Sequence, residues 1–452
     1  MKLGRLCFLS ITSGVLLSLF FIRAIQDTVI SPYRTIGGTI VMNTMDMSEG
    51  ASEEHTEQTA REVDNLSTSV PFQELRTPDR KHTIVTRQPF QEVTMRPAVR
   101  ETATQPSSTT PTISADVLNF QFIPESEKAN CSNCLIYHNK KTFPYSYHFQ
   151  SRDPSPVSIS LLATATYDRL DFIPFFMARW PSHLVFALQC NRKDWNIVQA
   201  KLNSLNLPDR VMIVIMFSHG TLHFYVNKLR NLAIRATSTT HFLTLDMDMW
   251  PSPNLFAELM ALPREILDSN STAVIVPAMF LNSNLVLPRC EKVLECAILS
   301  EELFPANKTD LLTCLQERRC STMKAKGIQH RYVQREWISG DYTYLKMKCF
   351  ANRLQEPYLV MRYFDSMTLF DERFVDYGCN KVQWVDQLRL MGYEFYLLGR
   401  AFMMDIVHHD SGYRQKYMVY ARAGKANQMR KLCDKFMAKA ELVYGSQSKV
   451  NI

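Results

Sequence analysis

Asp246 and Asp248, within HFLTLDMDMWPSPNLF at 241–256, are the residues of this chain whose types and spacing best suit chemistry. Two carboxylates spaced i, i+2 at a strand end can turn toward one ion, and their oxygens suit hard cations such as Mn2+ or Mg2+. A divalent ion there could bridge a diphosphate and offset the charge that builds as it leaves, which is how a nucleotide-sugar donor is activated. The pair is too closely spaced for the opposed acid and base of a glycoside hydrolase. A bare D-x-D is common by chance in solvated turns, so its weight depends on what positions it. The chain has no G-x-G-x-x-G after a strand, no P-loop, no H-E-x-x-H and no G-x-S-x-G, which disfavours dehydrogenase, NTPase, zinc-protease and lipase chemistry.

The positioning elements are legible as alternating apolar runs and helical periods. VSISLLAT (157–164), HLVFALQC (183–190), RVMIVIMF (210–217) and HFLTLD (241–246) read as buried strands, and TAVIVPAMF (272–280) as a fifth. Helical spacing lies between them at 167–179, 194–205 and 226–236, with a short helix at 254–261. Alternation at this interval predicts an α/β fold with a parallel sheet covered on both faces. Ligands of such sheets sit outside the carboxyl ends of the strands. Asp246 ends the fourth strand, so the pair falls on that edge.

The rest of the sequence sets the compartment. Lys2 and Arg5 precede an uncharged stretch, 6–22, just long enough to cross a bilayer, and RAIQDTV after it is a poor cleavage site. This predicts a cytosolic tail at 1–5, a transmembrane signal anchor at 6–22 and a lumenal body. From 23 to 115 the chain is rich in Thr, Ser, Glu, Gln and Pro without sustained apolar period, a largely disordered stem. The folded domain is expected over 116–452. Asn-x-Ser/Thr acceptors at Asn65, Asn130, Asn270 and Asn307 suit a lumenal location, as do the ten cysteines beyond Cys7. Cys131 and Cys134, Cys290 and Cys296, and Cys314 and Cys320 read as disulfide formers rather than zinc ligands, with the pairing left open. A net charge of +7 with scattered Lys and Arg leaves no footprint for nucleic acid.

Three blocks carry a family resemblance: YVNKLRNLAIRATSTTHFLTLDMDMWPS (225–252), VIVPAMF (274–280) and EPYLVMRYFDSMTLFDERFVDYGCNKVQWVDQLRLMGYEFYLLGRAFMMDIVHH (356–409). They resemble glycosyltransferase family 49, which includes β-1,4-glucuronyltransferases, over about 157–420. The resemblance implies a GT-A-type, Rossmann-like mixed sheet flanked by helices, with Asp246 and Asp248 as Mn2+ ligands. It further implies that Arg230 and Asn231 frame the nucleotide-sugar pocket and that Thr164 and Thr166 receive the nucleotide.

Two departures from the family's pattern bear on the site. In AFMMDIVHH, Asp405 stands where a first metal-site His would fall and His408 at the second, so the third ligand is one of Asp405, His408 and His409. In NKVQWVDQL, Gln387 replaces a family Glu, which leaves Asp386 beside it and Asp371 in FDERF as the acidic candidates on the acceptor side. The implied activity is inverting transfer of a hexosyl unit from a UDP-sugar, glucuronic acid first, to a glycan or glycoprotein acceptor. Its implied setting is the Golgi membrane. The alternative is a non-catalytic, glycosyltransferase-like Golgi protein that binds glycans or a partner enzyme.

Overall fold

Alternating side chains along each apolar run are buried on opposite faces of one sheet. Leu161, Ala163, Phe186, Leu188, Ile213, Ile215, Leu243 and Leu245 enter one core, while Leu162, Val185, Ala187, Val214, Met216 and Phe242 enter the other. Burying a branched aliphatic side chain contributes roughly 1.5–3 kcal/mol. The runs therefore specify the register of the sheet as well as its existence.

The computed structural model describes residues 114–145, 156–218, 223–323, 327–424 and 427–452. These belong to one compact unit. The expected anchor at 6–22 and nearly all of the expected stem lie outside the described residues. Among the described residues no helix is long and apolar enough to cross a membrane.

In chain order the strands are β1 (Cys134–His138), β2 (Lys141–Pro144), β3 (Ile159–Thr166), β4 (Leu184–Asn191), β5 (Val211–Ser218), β6 (His241–Asp246) and β7 (Met249–Pro251). They continue with β8 (Thr272–Val276), β9 (Ala278–Leu281), β10 (Cys320–Ser321), β11 (Tyr344–Lys346), β12 (Tyr358–Arg362), β13 (Glu394–Leu398) and β14 (Met403–Asp405). Among the described residues, ten of them form one sheet in the order β11-β13-β8-β12-β6-β3-β4-β5-β1-β2, and four form a second in the order β10-β9-β14-β7.

The expected all-parallel sheet is corrected here to a mixed one, as the family resemblance implied. The strands β6, β3, β4 and β5 are parallel, but β12 runs antiparallel between β6 and β8. A second correction concerns 272–280. Pro277 has no N–H to give a ladder, and the run divides there into β8 of the large sheet and β9 of the small one. Pro174 acts similarly in the predicted helix 167–179. It is tolerated only in a first helical turn, so Tyr167–Phe172 is a 3-10 segment and the α-helix runs Ile173–Arg179.

The six cysteines expected to form disulfides do so, in pairings the sequence left open: Cys131–Cys134, Cys290–Cys296 and Cys314–Cys320. A fourth, Cys379–Cys433, joins residues 54 apart. The even count overstates the pairing, because Cys190 remains a buried thiol whose pKa burial pushes up to about 11. His409 approaches Cys290 and Cys296, but those sulfurs are bonded to each other and offer no thiolate to a metal. Three predicted acceptor asparagines, Asn130, Asn270 and Asn307, are exposed, while Asn65 lies outside the described residues.

Candidate active site

Parallel register brings the strand ends together. Thr164 lies opposite Asp246 on β6 and Ala187 on β4, Thr166 opposite Gln189, and Asn191 opposite Ser218 on β5. These ends form one wall of a cavity of about 650 Å3, and residues 376–381 and 408–416 supply much of the rest. That volume lies within the 300–1,000 Å3 typical of small-molecule sites. Thr164 is among the residues lining this wall, and its hydroxyl is buried without a hydrogen-bond partner. An orphaned buried donor of this kind is uncommon and suits a site built for a ligand.

Asp246 is surrounded by donors. Its Oδ1 accepts from Arg230 Nη2 at 2.7 Å, and its Oδ2 accepts from Tyr358 Oη and Lys381 Nζ, each at 2.9 Å. Burial opposes charge on this carboxyl, yet Lys381 and Arg230 together hold it well below the usual carboxylate range. Burial, and then the charges of Asp246, Asp248 and Asp405, keep the Tyr358 hydroxyl protonated. Arg230 is itself fixed from behind, donating to Asn227 at 2.9 Å and Asn380 at 3.2 Å.

Asp248 is set apart from this cluster by its partner. Its carbonyl accepts from Ile406 N–H at 2.8 Å, and Asp405 pairs with Met249, so β14 runs alongside β7 and delivers His408 to the carboxylate. His408 Nε2 lies 3.4 Å from Asp248 Oδ2, and its Nδ1 is 2.7 Å from the His409 carbonyl. The Nδ1 contact to that carbonyl holds the ring with Nε2 toward Asp248, where a protonated Nε2 donates to the carboxylate and a neutral one offers its lone pair to a metal. Burial works against charge on His408, but the hydrogen bond and charge of Asp248 raise its pKa overall.

A hard divalent ion fits this donor set. Neighbouring ligands on a six-coordinate ion with bonds of roughly 2.1 Å lie about 3 Å apart, close to the Asp248–His408 separation. One carboxylate oxygen with one imidazole nitrogen is a competent pair for a first-row ion such as Mn2+. Asp246 lies in the same wall, but its carboxylate, bonded to three donors, does not close with Asp248 and His408 into a three-ligand cluster in this structure.

Of the predicted site residues, Thr164, Thr166, Arg230, Asp246, Asp248 and His408 line the cavity, and Asn231, Asp371, Asp386 and Asp405 do not. Asn231 instead exchanges hydrogen bonds with Phe370, each 2.9 Å, and with Glu372, clamping that segment. The Asp371 carboxylate is buried against Arg373. Asp386 is held at 2.7 Å by Arg353 and 2.8 Å by Arg389. Carboxylates clamped by guanidinium groups and lying off the cavity are poorly placed to take an acceptor proton. Asp405 lies buried in the β7-β14-β9 ladder, and His409 bonds the Cys290 carbonyl at 3.0 Å. The geometry thus brings His408, of the three ligand candidates, to Asp248.

Sequence reasoning missed Lys381, Asn380, Asp376, Tyr358 and Glu356, all at or beside the cavity. Lys381 and Asn380 fall within the quoted CNK stretch, but nothing in their local pattern marks them, because a turn delivers them. Asp376, Gly378 and Cys379 have positive φ of 54°, 101° and 65°. Such left-handed clusters are costly for side-chain-bearing residues and concentrate at functional sites.

Residues 215–445 match the family described as "Glycosyl-transferase for dystroglycan". That span covers half of the chain. The chain belongs to this family. It is the family 49 expected from the three blocks, and the match includes Arg230, Asp246, Asp248, Lys381 and His408. Among curated relatives, "Xylosyl- and glucuronyltransferase LARGE2" of Mus musculus is 27% identical over 276 residues, covering 58% of this chain and 36% of the relative. "Xylosyl- and glucuronyltransferase LARGE2s" of Gallus gallus is 26% identical over 328 residues, covering 69% and 40%. The "Glycosyltransferase-like protein gnt14" of Dictyostelium discoideum is 24% identical over 261 residues, covering 56% and 38%. The chain thus spans well under half the length of these relatives. Among solved structures, mannosyltransferase PcManGT of Pyrobaculum calidifontis, in complex with GDP-Man and Mn2+, aligns at 12% identity and a TM-score of 0.31, over 66% of this chain and 73% of its own. GalNAc-T7 with UDP, GalNAc and Mn2+ aligns at 11% identity and a TM-score of 0.35, over 65% and 59%.

Proposed function

We propose that this protein transfers a hexosyl unit, glucuronic acid first among candidates, from a UDP-sugar to a glycan on a secretory-pathway acceptor, with inversion. The observation that carries the reading is the meeting of Asp248 with His408, beside Asp246, in one cavity that also holds Arg230 and Lys381. Family membership supports glycosyl transfer, the GT-A type of mixed sheet and the Golgi setting expected of a lumenal body. The relatives named for xylosyl and glucuronyl transfer motivate the donor sugar.

Asp248 and His408, with Asp246, would hold a divalent ion, Mn2+ or Mg2+. Such an ion supplies charge that offsets the departing diphosphate. Arg230 and Lys381 add positive charge on the same side, favouring a phosphate over neutral ligands. Thr164 and Thr166, both in the cavity lining, would receive the nucleotide. The acceptor hydroxyl needs a base within the cavity. Glu356, two residues before Tyr358 and in the cavity lining, is better placed for this than Asp371 or Asp386.

The test is Mn2+-dependent release of UDP by the purified full chain over a panel of UDP-sugars, with and without glycan acceptors. Consumption of at least one UDP-sugar, lost on chelation, is expected. If no UDP-sugar is consumed under any condition, the proposed activity fails.

A further inference from the structure

Lys381 occupies Asp246 in a way that bears on how the site loads. A carboxylate offers about four lone-pair directions, and Arg230, Lys381 and Tyr358 already fill three on Asp246. The two cations are held differently. Both side chains are nearly inaccessible, but Arg230 is tied to Asn227 and Asn380 as well as to Asp246, so its guanidinium cannot move without breaking all three bonds. Lys381 carries its ammonium on a flexible four-carbon stem in the cavity wall, bonded to Asp246 and resting 3.8 Å from the centre of the Tyr358 ring.

The backbone ahead of Lys381 is anchored at two points. The Asp376 carboxylate accepts from Phe224 N–H and pairs with His223, each at 2.7 Å, and Cys379 is bridged to Cys433. Any rearrangement at Lys381 is therefore one of the side chain, not of the loop. A second cation entering beside Asp246 must share that carboxylate with the ammonium and is repelled by it at close range. A diphosphate entering the cavity offers the ammonium a more highly charged partner.

We infer that Lys381 is an internal counter-ion coupling metal entry to donor entry: it neutralises Asp246 when no donor is bound, then transfers to a phosphate oxygen and releases the carboxylate toward the ion. This rests on the metal and nucleotide-sugar reading above. Lys381 would make the divalent site weak alone and tight only with the nucleotide. Free metal would then not fill the site unproductively.

The test measures Mn2+ binding to the full chain, by the electron paramagnetic resonance signal of free Mn2+, with and without UDP. The wild type is compared with Lys381→Met and with Lys381→Gln, which keeps a hydrogen-bond donor but not the charge. Thermal melts confirm that each variant is folded. In both variants Mn2+ alone should bind roughly tenfold tighter or more, and the gain on adding UDP should shrink by a similar factor. Mn2+ affinity no tighter than wild type, or an undiminished gain with UDP, overturns the counter-ion role while leaving the metal-dependent reading intact. Absence of Mn2+ binding in all three proteins overturns both together.

Discussion

His408 Nε2 lies 3.4 Å from Asp248 Oδ2 although 160 residues separate them in sequence. The contact exists because β14 pairs with β7 directly after the D-x-D turn, so the small second sheet serves to bring a nitrogen ligand to a carboxylate. Asp248→Asn keeps the shape of the side chain and removes its charge. Mn2+-dependent UDP release should fall on the order of 10²-fold or more, with the melting temperature little changed. His408→Gln should weaken Mn2+ binding in the same assay. Wild-type turnover in Asp248→Asn would remove the metal role from this pair.

Glu356 tests the acceptor side independently of the metal. Positioned proton transfer contributes typically 10²–10⁴-fold. Glu356→Gln should therefore slow turnover by about that factor while the affinity for UDP with Mn2+ stays within about twofold of wild type. A parallel loss of UDP affinity would assign Glu356 to the donor side instead.

The disulfide Cys379–Cys433 ties the Lys381 turn to the helix Asn427–Tyr444. Closing a loop of this size contributes about 2–4 kcal/mol to stability, chiefly by restricting the unfolded chain. Replacing both cysteines with serine should lower the denaturation midpoint accordingly. It should also weaken UDP binding, because the strained turn that presents Asn380 and Lys381 loses one of its two anchors. Unchanged UDP affinity in the destabilised variant would separate the bridge from the site.

What could be read from the sequence divides along a physical line. The strands β3, β4, β5 and β6 are continuous apolar runs buried on both faces, and such runs announce themselves. Asp246 and Asp248 were legible because they end one of those runs. The antiparallel β12 was not, since YLVMR is short and its direction depends on partners far along the chain. The same limit applies to charges. Nothing local distinguishes Asp386, enclosed by Arg353 and Arg389, from an acid facing substrate, and nothing local shows that Lys381 reaches Asp246 across 135 residues.

The stability of the sheet should carry an acid dependence from His241. This residue opens β6 buried, with Nε2 donating to the Leu267 carbonyl at 2.7 Å and Nδ1 2.9 Å from the Thr240 hydroxyl. Burial lowers its pKa. The Leu267 carbonyl and Asp268 oppose that shift, while Arg362 and Arg264 add to it. With the folded value depressed, the unfolded chain takes up a proton first as pH falls. Stability is then complete above the unfolded value near 6.5 and is lost below it, at up to about 1.4 kcal/mol per pH unit. His241→Gln, which retains a donor for Leu267, should show a shallower decline between pH 7 and pH 5 in urea melts. Identical slopes would exclude His241 as the source.

Asp386→Asn separates the structural reading of that acid from the catalytic one. Its side chain is nearly inaccessible and accepts from Arg389 on one oxygen and Arg353 on the other. Removing the charge leaves the buried Arg389 without its counter-ion, and breaking a buried pair of this kind costs about 3–5 kcal/mol. Arg353 is a third exposed and screened by solvent, which places the loss toward the lower end. The variant should therefore melt markedly earlier. At a temperature where it remains folded, however, turnover per folded molecule should equal wild type, since Asp386 does not reach the cavity. A roughly hundredfold or larger loss of turnover with the variant still folded would return Asp386 to the acceptor site and would require a rearrangement of the Arg353–Asp386–Arg389 cluster on substrate binding.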